Sequence, residues 1–340
     1  MSITLDREEV PALPAAREPA EVRGAGRDDV RLLVARRGSG RIDHARFAEL
    51  PELLDPGDLL VVNTSATLPA AIPVVGSDPA LRLHLSSPIP GDDRGAWLVE
   101  LRRDGRRFAG GSRGLVLRLP AGGAVVLLEP HGGGRLWRAA LRLPTPVLHY
   151  LARHGEPIRY GHTPTDWPLA RYQTVYATDP GSAEMPSAGR AFTPELVTCL
   201  VAAGIDIAPL VLHTGVSSLE EGEAPHAEWY GVPRFTAERI ELVRRMGGRV
   251  IAVGTTVVRA LESAAAAGPA AEGWTDLVIA PDTPVESLDG LLTGFHDSDS
   301  SHLAMLEAIA GRDLLERSYA EAAGAGYLRH EFGDLHLILP

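Results

Sequence analysis

From Arg171 onward the chain alternates strand-like and helix-like segments, and this order constrains the fold more than any other feature. IDIAPLVLH (205–213) reads as a strand. TAERIELVRRM (236–246) reads as a helix, with Thr236 as N-cap, Ile240, Val243 and Met246 on one face, and Gly247 as its stop. RVIAVG (249–254) predicts another strand, followed by a helix opened by Thr255 and Thr256. A strand at LVIA (277–280), helices over 301–310 and 313–324, and a last strand LHLIL (335–339) complete the series. Alternation of this kind sets strands parallel and lays the connecting helices on the sheet faces. The expected fold class is α/β, with a mostly parallel sheet as core.

The upstream half adds one strand to that core and an insertion. RLLVARR (31–37) reads as a strand and HARFAELPELL (44–54) as a helix with Phe47, Leu50 and Leu53 on one face. LLVVN (59–63) is a continuous apolar run, as in a strand buried on both faces of the same sheet. Between about 70 and 150 the pattern changes to short strands split by Gly, Asp and Pro: AIPVV, LRLHLSS, AWLVELRR, GLVLRLP, AVVLLEP and RLWRAALRLP. That pattern predicts an antiparallel β-barrel. The expected organisation is a discontinuous α/β core of residues 1–69 and 151–340, with residues 70–150 as an inserted β-barrel domain.

Composition excludes several chemistries. All 33 basic residues are arginine, which removes lysine Schiff bases and the P-loop lysine. The single cysteine, Cys199, sits in a helical apolar pattern and is expected to be a buried thiol, with neither disulfides nor cysteine-ligated metal sites. There is no GxGxxG, GxSxG or HExxH, and His226 with Glu228 lacks a third ligand nearby, so no metal is expected. The N-terminal MSITLDREEVPALPAAREPAEVRG has no apolar core of a secretory signal, and no apolar run reaches membrane-span length; a cytoplasmic monomer is expected. A net charge of −11 gives no global basic field for nucleic acid. Residues 101–120 are an exception, with six arginines against one aspartate, readable as an RNA-contacting hairpin or as a solvated face.

Polar candidates gather at strand ends and helix starts. Asn63, the only asparagine, ends the LLVVN run, where open α/β sheets bind ligands; a turn residue bonded to its own backbone is the competing reading. Gln173, the only glutamine, follows Tyr172 in RYQTVY. A small-residue loop containing Pro186, Ser187, Ala188 and Gly189 then feeds a helix with Thr193 as N-cap and Pro194 at its first position. Backbone N–H groups at such a junction suit an anionic or polar ligand edge. His213 in LVLHTG, Gly254-Thr255-Thr256, Asp289 in LDGLL and His296 in TGFHDSDSS complete the set. Hydrogen-bonded structural histidines and helix-capping threonines are the plainer alternatives.

PGDLLVVN (56–63), RYQTVYATDPGS (171–182), PSAGRAFTPELVTCL (186–200), LHTG (212–215), HAEWYGVP (226–233), GRVIAVGTTVVRALES (248–263), LLTGFH (291–296) and GDLHLIL (333–339) occur in one order. Together they resemble the S-adenosylmethionine:tRNA ribosyltransferase-isomerase family of queuosine biosynthesis, over nearly the whole chain. The resemblance implies that S-adenosylmethionine acts as ribosyl donor and co-substrate, with no further cofactor. The implied acceptor is the aminomethyl group of a 7-deazaguanine in tRNA, and the products are epoxyqueuosine-tRNA, adenine and methionine. On that footing His213 and His296 are the acid–base candidates, and Glu228 would pair with the sulfonium or the amine. Donor and nucleobase contacts would fall to Asn63, Tyr172, Gln173, Pro186, Ser187, Ala188, Gly189, Gly254, Thr255, Thr256 and Arg259.

The chain departs from the family pattern at motif centres. Ala66 and Ala71 stand where the pattern has arginines. Arg190 and Ala191 replace leucine and histidine, and Gly294 and Asp297 replace asparagine and leucine. Lost arginines remove phosphate contacts. Two alternatives to the family reaction therefore stay open: a transferase using the same donor on a small-molecule acceptor, and a non-catalytic S-adenosylmethionine- or RNA-binding relative.

Overall fold

The computed structural model describes residues 10–24, 26–92, 95–159, 161–216, 226–268, 270–297 and 301–340. In chain order, β1 (Arg31–Arg36) turns back into β2 (Arg41–Arg46), and the short α1 (Leu50–Leu53) leads to β3 (Leu59–Asn63) and β4 (Ser65–Thr67). A separate sheet follows: β5 (Ala71–Pro73), β6 (Leu81–Pro88), β7 (Trp97–Arg103), β8 (Arg106–Arg107), β9 (Val116–Arg118), β10 (Ala124–His131) and β11 (Leu136–Arg142). Helix α2 (Val147–His154), β12 (Asp179–Ser182), α3 (Pro194–Ala202), β13 (Asp206–Leu212) and β14 (Glu228–Gly231) come next. The chain ends with α4 (Arg234–Arg245), β15 (Val250–Val253), α5 (Thr255–Ala267), β16 (Glu272–Thr275), β17 (Gly290–Gly294), α6 (Ser301–Ala310), α7 (Arg312–Gly324) and β18 (Leu335–Leu339).

The core is a nine-stranded sheet in the order β16-β14-β13-β3-β15-β17-β18-β1-β2. Its centre, β13-β3-β15-β17, is parallel throughout. The flanks are not: β14, β16, β18 and β2 each run antiparallel to an inner neighbour. A mostly parallel sheet therefore describes only the centre, with one further parallel pair, β18 with β1, among the outer strands.

β3 is buried along its whole length and shows how the layers form. Leu59 and Val61 point into one apolar cluster, Leu60 and Val62 into another. Val250 and Ala252 alternate with Ile251 and Val253 in the same way on β15. Strand side chains alternate between faces, so a run apolar at every position needs cover on both sides. One face is covered by α4, α5, α6 and α7, through residues such as Ile240, Leu261, Leu306 and Tyr319. The other is covered by α1 and α3, through Leu50, Leu196 and Leu200, and by Phe192 from the loop before α3.

The second sheet is antiparallel and curled, ordered β5-β6-β7-β11-β10-β9 with β8 paired to β7. Its edges meet at one hydrogen bond, from Val75 N–H to the Arg118 carbonyl (2.8 Å), so it is a half-barrel rather than a fully laddered barrel. Tyr150 and Leu151 of α2 belong to its core, and Tyr150 donates to the Pro120 carbonyl at 2.6 Å. The chain leaves the central sheet through β4 and returns through β12, which pair in parallel. Gln173 locks this crossing: its amide accepts from Thr67 N–H at 2.9 Å and donates to the Thr67 carbonyl at 2.7 Å.

Several local expectations change. The helix expected over 44–54 yields its first three residues to β2, whose backbone pairs with β1; the helical turns run from Phe47 to Leu53. Residues 277–280 form no strand, since Leu277 is held by Arg259 and Thr275 and Ala280 by Thr283; the strand lies at β16 instead. Thr236 lies inside α4, which starts after Pro233, and its hydroxyl donates to the Pro209 carbonyl at 2.6 Å. Thr193 does cap α3, accepting from Leu196 N–H at 3.1 Å. Cys199 is exposed, because Leu196 and Leu200 form the inward face of α3 and position 199 turns away from it. No helix among the described residues is long and apolar enough to cross a membrane.

Candidate active site at the strand ends

The four central parallel strands end side by side at Leu212, Asn63, Val253 and Gly294. The residues that follow are His213, Thr64-Ser65, Gly254-Thr255-Thr256 and Phe295-His296. β14 runs antiparallel to β13, so its first residue, Glu228, reaches the same edge. The carboxyl edge of a parallel sheet thus gathers residues separated by more than two hundred positions in sequence, as ligand sites of open α/β sheets do.

His213 is half-buried and held from three sides. Its Nδ1 lies 2.7 Å from Ser65 Oγ, which lies 2.6 Å from Ser182 Oγ; Ser182 Oγ accepts from Thr214 N–H at 3.0 Å. Its ring stacks on Trp229, with centroids 5.4 Å apart. Burial lowers its pKa below the usual histidine value, partly opposed by Asp179, so the ring is neutral near pH 7. In the tautomer whose Nδ1 donates to Ser65, Nε2 presents a lone pair for proton uptake. Gly181 packs against this ring, and a Cβ there would fall within the imidazole's van der Waals envelope. Gly181→Ala is therefore expected to push His213 off Ser65, lowering turnover about 10- to 100-fold while the melting temperature moves little. Kinetics and a thermal melt on the purified variant check this; unchanged turnover would show that the ring's position does not matter.

His296 anchors a second group. It is 7% exposed, its Nε2 lies 3.1 Å from Thr293 Oγ1, and its backbone N–H donates to Tyr319 at 3.0 Å. Its Nδ1 is buried and has no hydrogen-bond partner among the described residues. The ring stacks on His302, with centroids 4.5 Å apart, and meets His330 edge-on at 4.6 Å. Neither partner stands out from sequence spacing: His302 lies on α6 and His330 in the segment before β18, and only the sheet order brings them to His296.

All three imidazoles are neutral near pH 7. Burial, reinforced by Arg259, holds His302 at about 4. Burial, reinforced by His302, Arg329 and His162, holds His330 at about 3. Burial, with His302 and His330, drives His296 well below 6.5. Between these values and 6.5 the unfolded chain binds more protons than the folded one, so this stabilisation is complete above pH 6.5 and drains as pH falls. Each fully neutral histidine contributes a limiting slope of about 1.4 kcal/mol per pH unit. The denaturant midpoint should therefore fall steadily from pH 6.5 to 4.5, above the range where most carboxylates titrate; a flat profile there would contradict the neutral cluster.

Between the two histidine groups lies an ion pair. Glu228, 5% exposed, accepts from Gly215 N–H at 2.7 Å and from Arg259 Nη1. Arg259 also donates to the carbonyls of Leu277 (3.1 Å) and Thr275 (3.3 Å), so its guanidinium faces the protein on several sides. His226 packs against the same Gly215 and links this group to the curled sheet, its Nε2 lying 3.1 Å from Ser86 Oγ.

Several of the remaining predicted residues occupy the same edge, with their polar groups already engaged; Asp289 instead sits just before β17, at the amino end of the parallel strands. Asn63 accepts from Leu212 N–H (3.0 Å) and Ser65 N–H (3.0 Å), and donates to the Leu212 carbonyl (2.8 Å) and Thr256 Oγ1 (3.3 Å). The bond to Ser65 is the local turn anticipated as its competing reading. Thr256 thereby ties α5 to β3. Gly254, with φ +96°, is the N-cap, a backbone conformation that favours glycine, and it packs near Ala188. Thr255 is the first helical residue rather than the cap. Pro186, Ser187, Ala188 and Gly189 form a short 3₁₀ turn beside β17, and Gly189 leaves room for the Tyr176 hydroxyl. Tyr172 is buried against Phe332, with ring centroids 5.4 Å apart. Asp289 accepts from Val250 N–H at 2.8 Å, which registers β15 against the approach to β17.

The substituted motif positions are accommodated locally. Arg190 donates to Glu21 (2.7 and 2.9 Å) and to the Arg171 carbonyl (2.8 Å), and lies over the Phe332 ring. Asp297 is paired with Arg329 at 2.8 Å. Positions 298–300 lie outside the described residues. In the arginine-rich hairpin, Arg102 pairs with buried Glu100 (3.0 Å) and Arg103 with Asp78 (2.6 Å).

A mixed α/β sheet with polar residues gathered on its carboxyl edge, carrying a curled antiparallel insertion, defines a ligand-binding α/β protein. A family model described as Queuosine biosynthesis protein matches residues 8–338, and the chain belongs to that family. The chain is similar to S-adenosylmethionine:tRNA ribosyltransferase-isomerase of Moorella thermoacetica, at 37% identity over 97% of this chain and 98% of the relative. It matches the protein of that name from Thermus thermophilus at 37% identity over 92% and 93% of the two chains. A crystal structure of S-adenosylmethionine tRNA ribosyltransferase from Thermotoga maritima covers 98% of this chain and 100% of its own, with a TM-score of 0.56 and 30% identity.

Proposed function

We propose that this protein transfers and isomerises the ribosyl moiety of S-adenosylmethionine onto the aminomethyl group of 7-aminomethyl-7-deazaguanine in tRNA. Adenine and methionine leave, and epoxyqueuosine-tRNA forms. The observation that carries this reading is the end-to-end match to the family, with His213, His296 and the Glu228–Arg259 pair all on one sheet edge. A sulfonium acidifies the neighbouring C5′ hydrogen, so a neutral imidazole is a competent base for it. The acceptor amine must lose a proton to attack, which calls for a second base, and departing adenine needs a proton donor. His213 and His296, held neutral and apart, supply two such groups. The glutamate carboxylate suits a sulfonium or ammonium, and the turn at 186–189 with the start of α5 presents backbone N–H groups to donor or nucleobase.

The test is adenine release from S-adenosylmethionine with and without tRNA carrying the 7-aminomethyl-7-deazaguanine base. Release that depends on the tRNA supports the proposal. Release with a small amine in place of tRNA would replace it with a small-molecule transferase, and absence of donor binding by calorimetry would leave a non-catalytic relative.

A further inference from the structure

Residues 70–150 carry eleven arginines against six carboxylates, a balance of +5; the whole chain stands at −11, so the remainder carries −16. The inserted sheet is thus a basic module fixed to an acidic core. It is fixed beside the candidate site, since Ser86 Oγ accepts from Val216 N–H at 2.9 Å and lies 3.1 Å from His226 Nε2. Several of its arginines are engaged within the protein: Arg82 meets Glu156, Arg102 meets Glu100, Arg103 meets Asp78 and Arg138 meets Asp92. Arg118 of β9 and Arg142 of β11 are exposed, and their side chains make no hydrogen bond or ion pair with the described residues. Register sets both on one face, because Ala124 of β10 pairs with Arg118 on one side and Arg142 on the other. Neighbouring strands lie about 4.8 Å apart, so the two arginines stand about 10 Å apart across a methyl group. The next row is Val116, Val126 and Ala140, and neither row contains a carboxylate. The apolar core lies on the opposite face, with Leu117, Val125, Leu127 and Ala139. The outer face is open to solvent: Val116 is 56% exposed, and Val126 and Ala140 are partly exposed.

We propose that this outer face of β9-β10-β11 is where the acceptor RNA lays its phosphate backbone, with Arg118 and Arg142 as phosphate contacts. The inference rests on the transferase reading above. An RNA carries a negative charge at every nucleotide, and its base cannot reach the sheet edge unless the backbone passes over nearby protein surface. The acidic core repels that backbone, and a basic face free of carboxylates attracts it. Small side chains between the two arginines let the backbone approach closely, and each guanidinium presents a planar fork that matches a phosphate. Such contacts position the RNA without reading its sequence, so they set affinity for the acceptor and leave the chemistry at the strand ends untouched.

The test is binding of full-length tRNA bearing the 7-aminomethyl-7-deazaguanine base, followed by fluorescence anisotropy at several salt concentrations, alongside adenine release. Arg118→Gln and Arg142→Gln should each weaken tRNA binding about 3- to 10-fold and reduce the slope of log affinity against log salt by about 1. KM for tRNA should rise by the same factors, while kcat at saturating tRNA and the affinity for S-adenosylmethionine stay at the parent's values. Arg234→Gln, which removes an exposed arginine of α4 paired with Glu238, should change neither affinity nor slope. Parent-like tRNA affinity and salt slope in the Arg118→Gln, Arg142→Gln double variant, with the parent's tRNA-dependent adenine release intact, would overturn this inference alone. Adenine release by the parent with a small amine and not with tRNA would overturn the transferase reading and this inference with it. Arginine-dependent binding to phosphatidylserine vesicles, with tRNA binding unchanged in the variants, would assign the face to a membrane surface instead.

Discussion

Replacing His296 with alanine is expected to lower the turnover of tRNA-dependent adenine release by about 10² to 10⁴, the range for removing a general acid or base. The ring is buried, its Nε2 is fixed by Thr293, and its Nδ1 is the unengaged polar atom of the pair. His302 and His330 flank it, and together with burial they disfavour a resident proton on the ring, which keeps it in the base form. Because alanine also leaves a cavity, His296→Gln is the companion variant; it keeps most of the volume and polarity but cannot titrate. Both variants should lose kcat, with S-adenosylmethionine affinity changing less than tenfold. Equal loss of affinity and turnover would assign His296 to donor binding instead. Retained activity in both would remove it from the chemistry.

Arg190→Leu is expected to destabilise the fold by about 3 kcal/mol, the lower end of the range for breaking a buried ion pair, because Glu21 keeps Arg171. Arg190 is buried, with only 4% of its side chain exposed, and it joins three separate segments: Glu21, the Arg171 carbonyl and the Phe332 ring. Burial would raise the Glu21 carboxyl, but hydrogen bonds and charge from Arg190, with Arg171, hold it down at about 2. A carboxylate depressed in the folded state stabilises above its unfolded pKa near 4.5 and loses that contribution as pH falls toward 2. The destabilisation by Arg190→Leu should therefore be full at pH 7 and shrink below about pH 4. Chemical denaturation at both pH values measures it. A variant as stable as the parent at pH 7 would show that the leucine packs well enough to offset the lost pair.

Much of the architecture is legible in the residues. LLVVN, RVIAV and LHLIL are apolar at nearly every position, which only a two-faced buried strand explains, and all three are core strands. The start of α3 is legible from Thr193-Pro194-Glu195, because cap chemistry is local. Sheet order is not local. Nothing in the sequence says that β18 inserts between β17 and β1, and that insertion carries His330 to His296. Rarity pointed to Asn63 and Gln173, but it marks what is irreplaceable without saying why. Both amides bind backbone N–H and C=O groups at once, which few side chains can do. Cys199 illustrates the opposite limit: its apolar helix pattern predicts burial, and one helical position of rotation leaves the thiol exposed.

The central claim is transfer of the ribosyl group rather than mere cleavage of the donor. S-adenosylmethionine labelled in its ribose carbons, incubated with the enzyme and tRNA bearing 7-aminomethyl-7-deazaguanine, tests it directly. The label should enter the tRNA mole for mole with the adenine released, and His296→Ala should lower both together. Adenine released while the ribose label stays in small molecules would contradict the account.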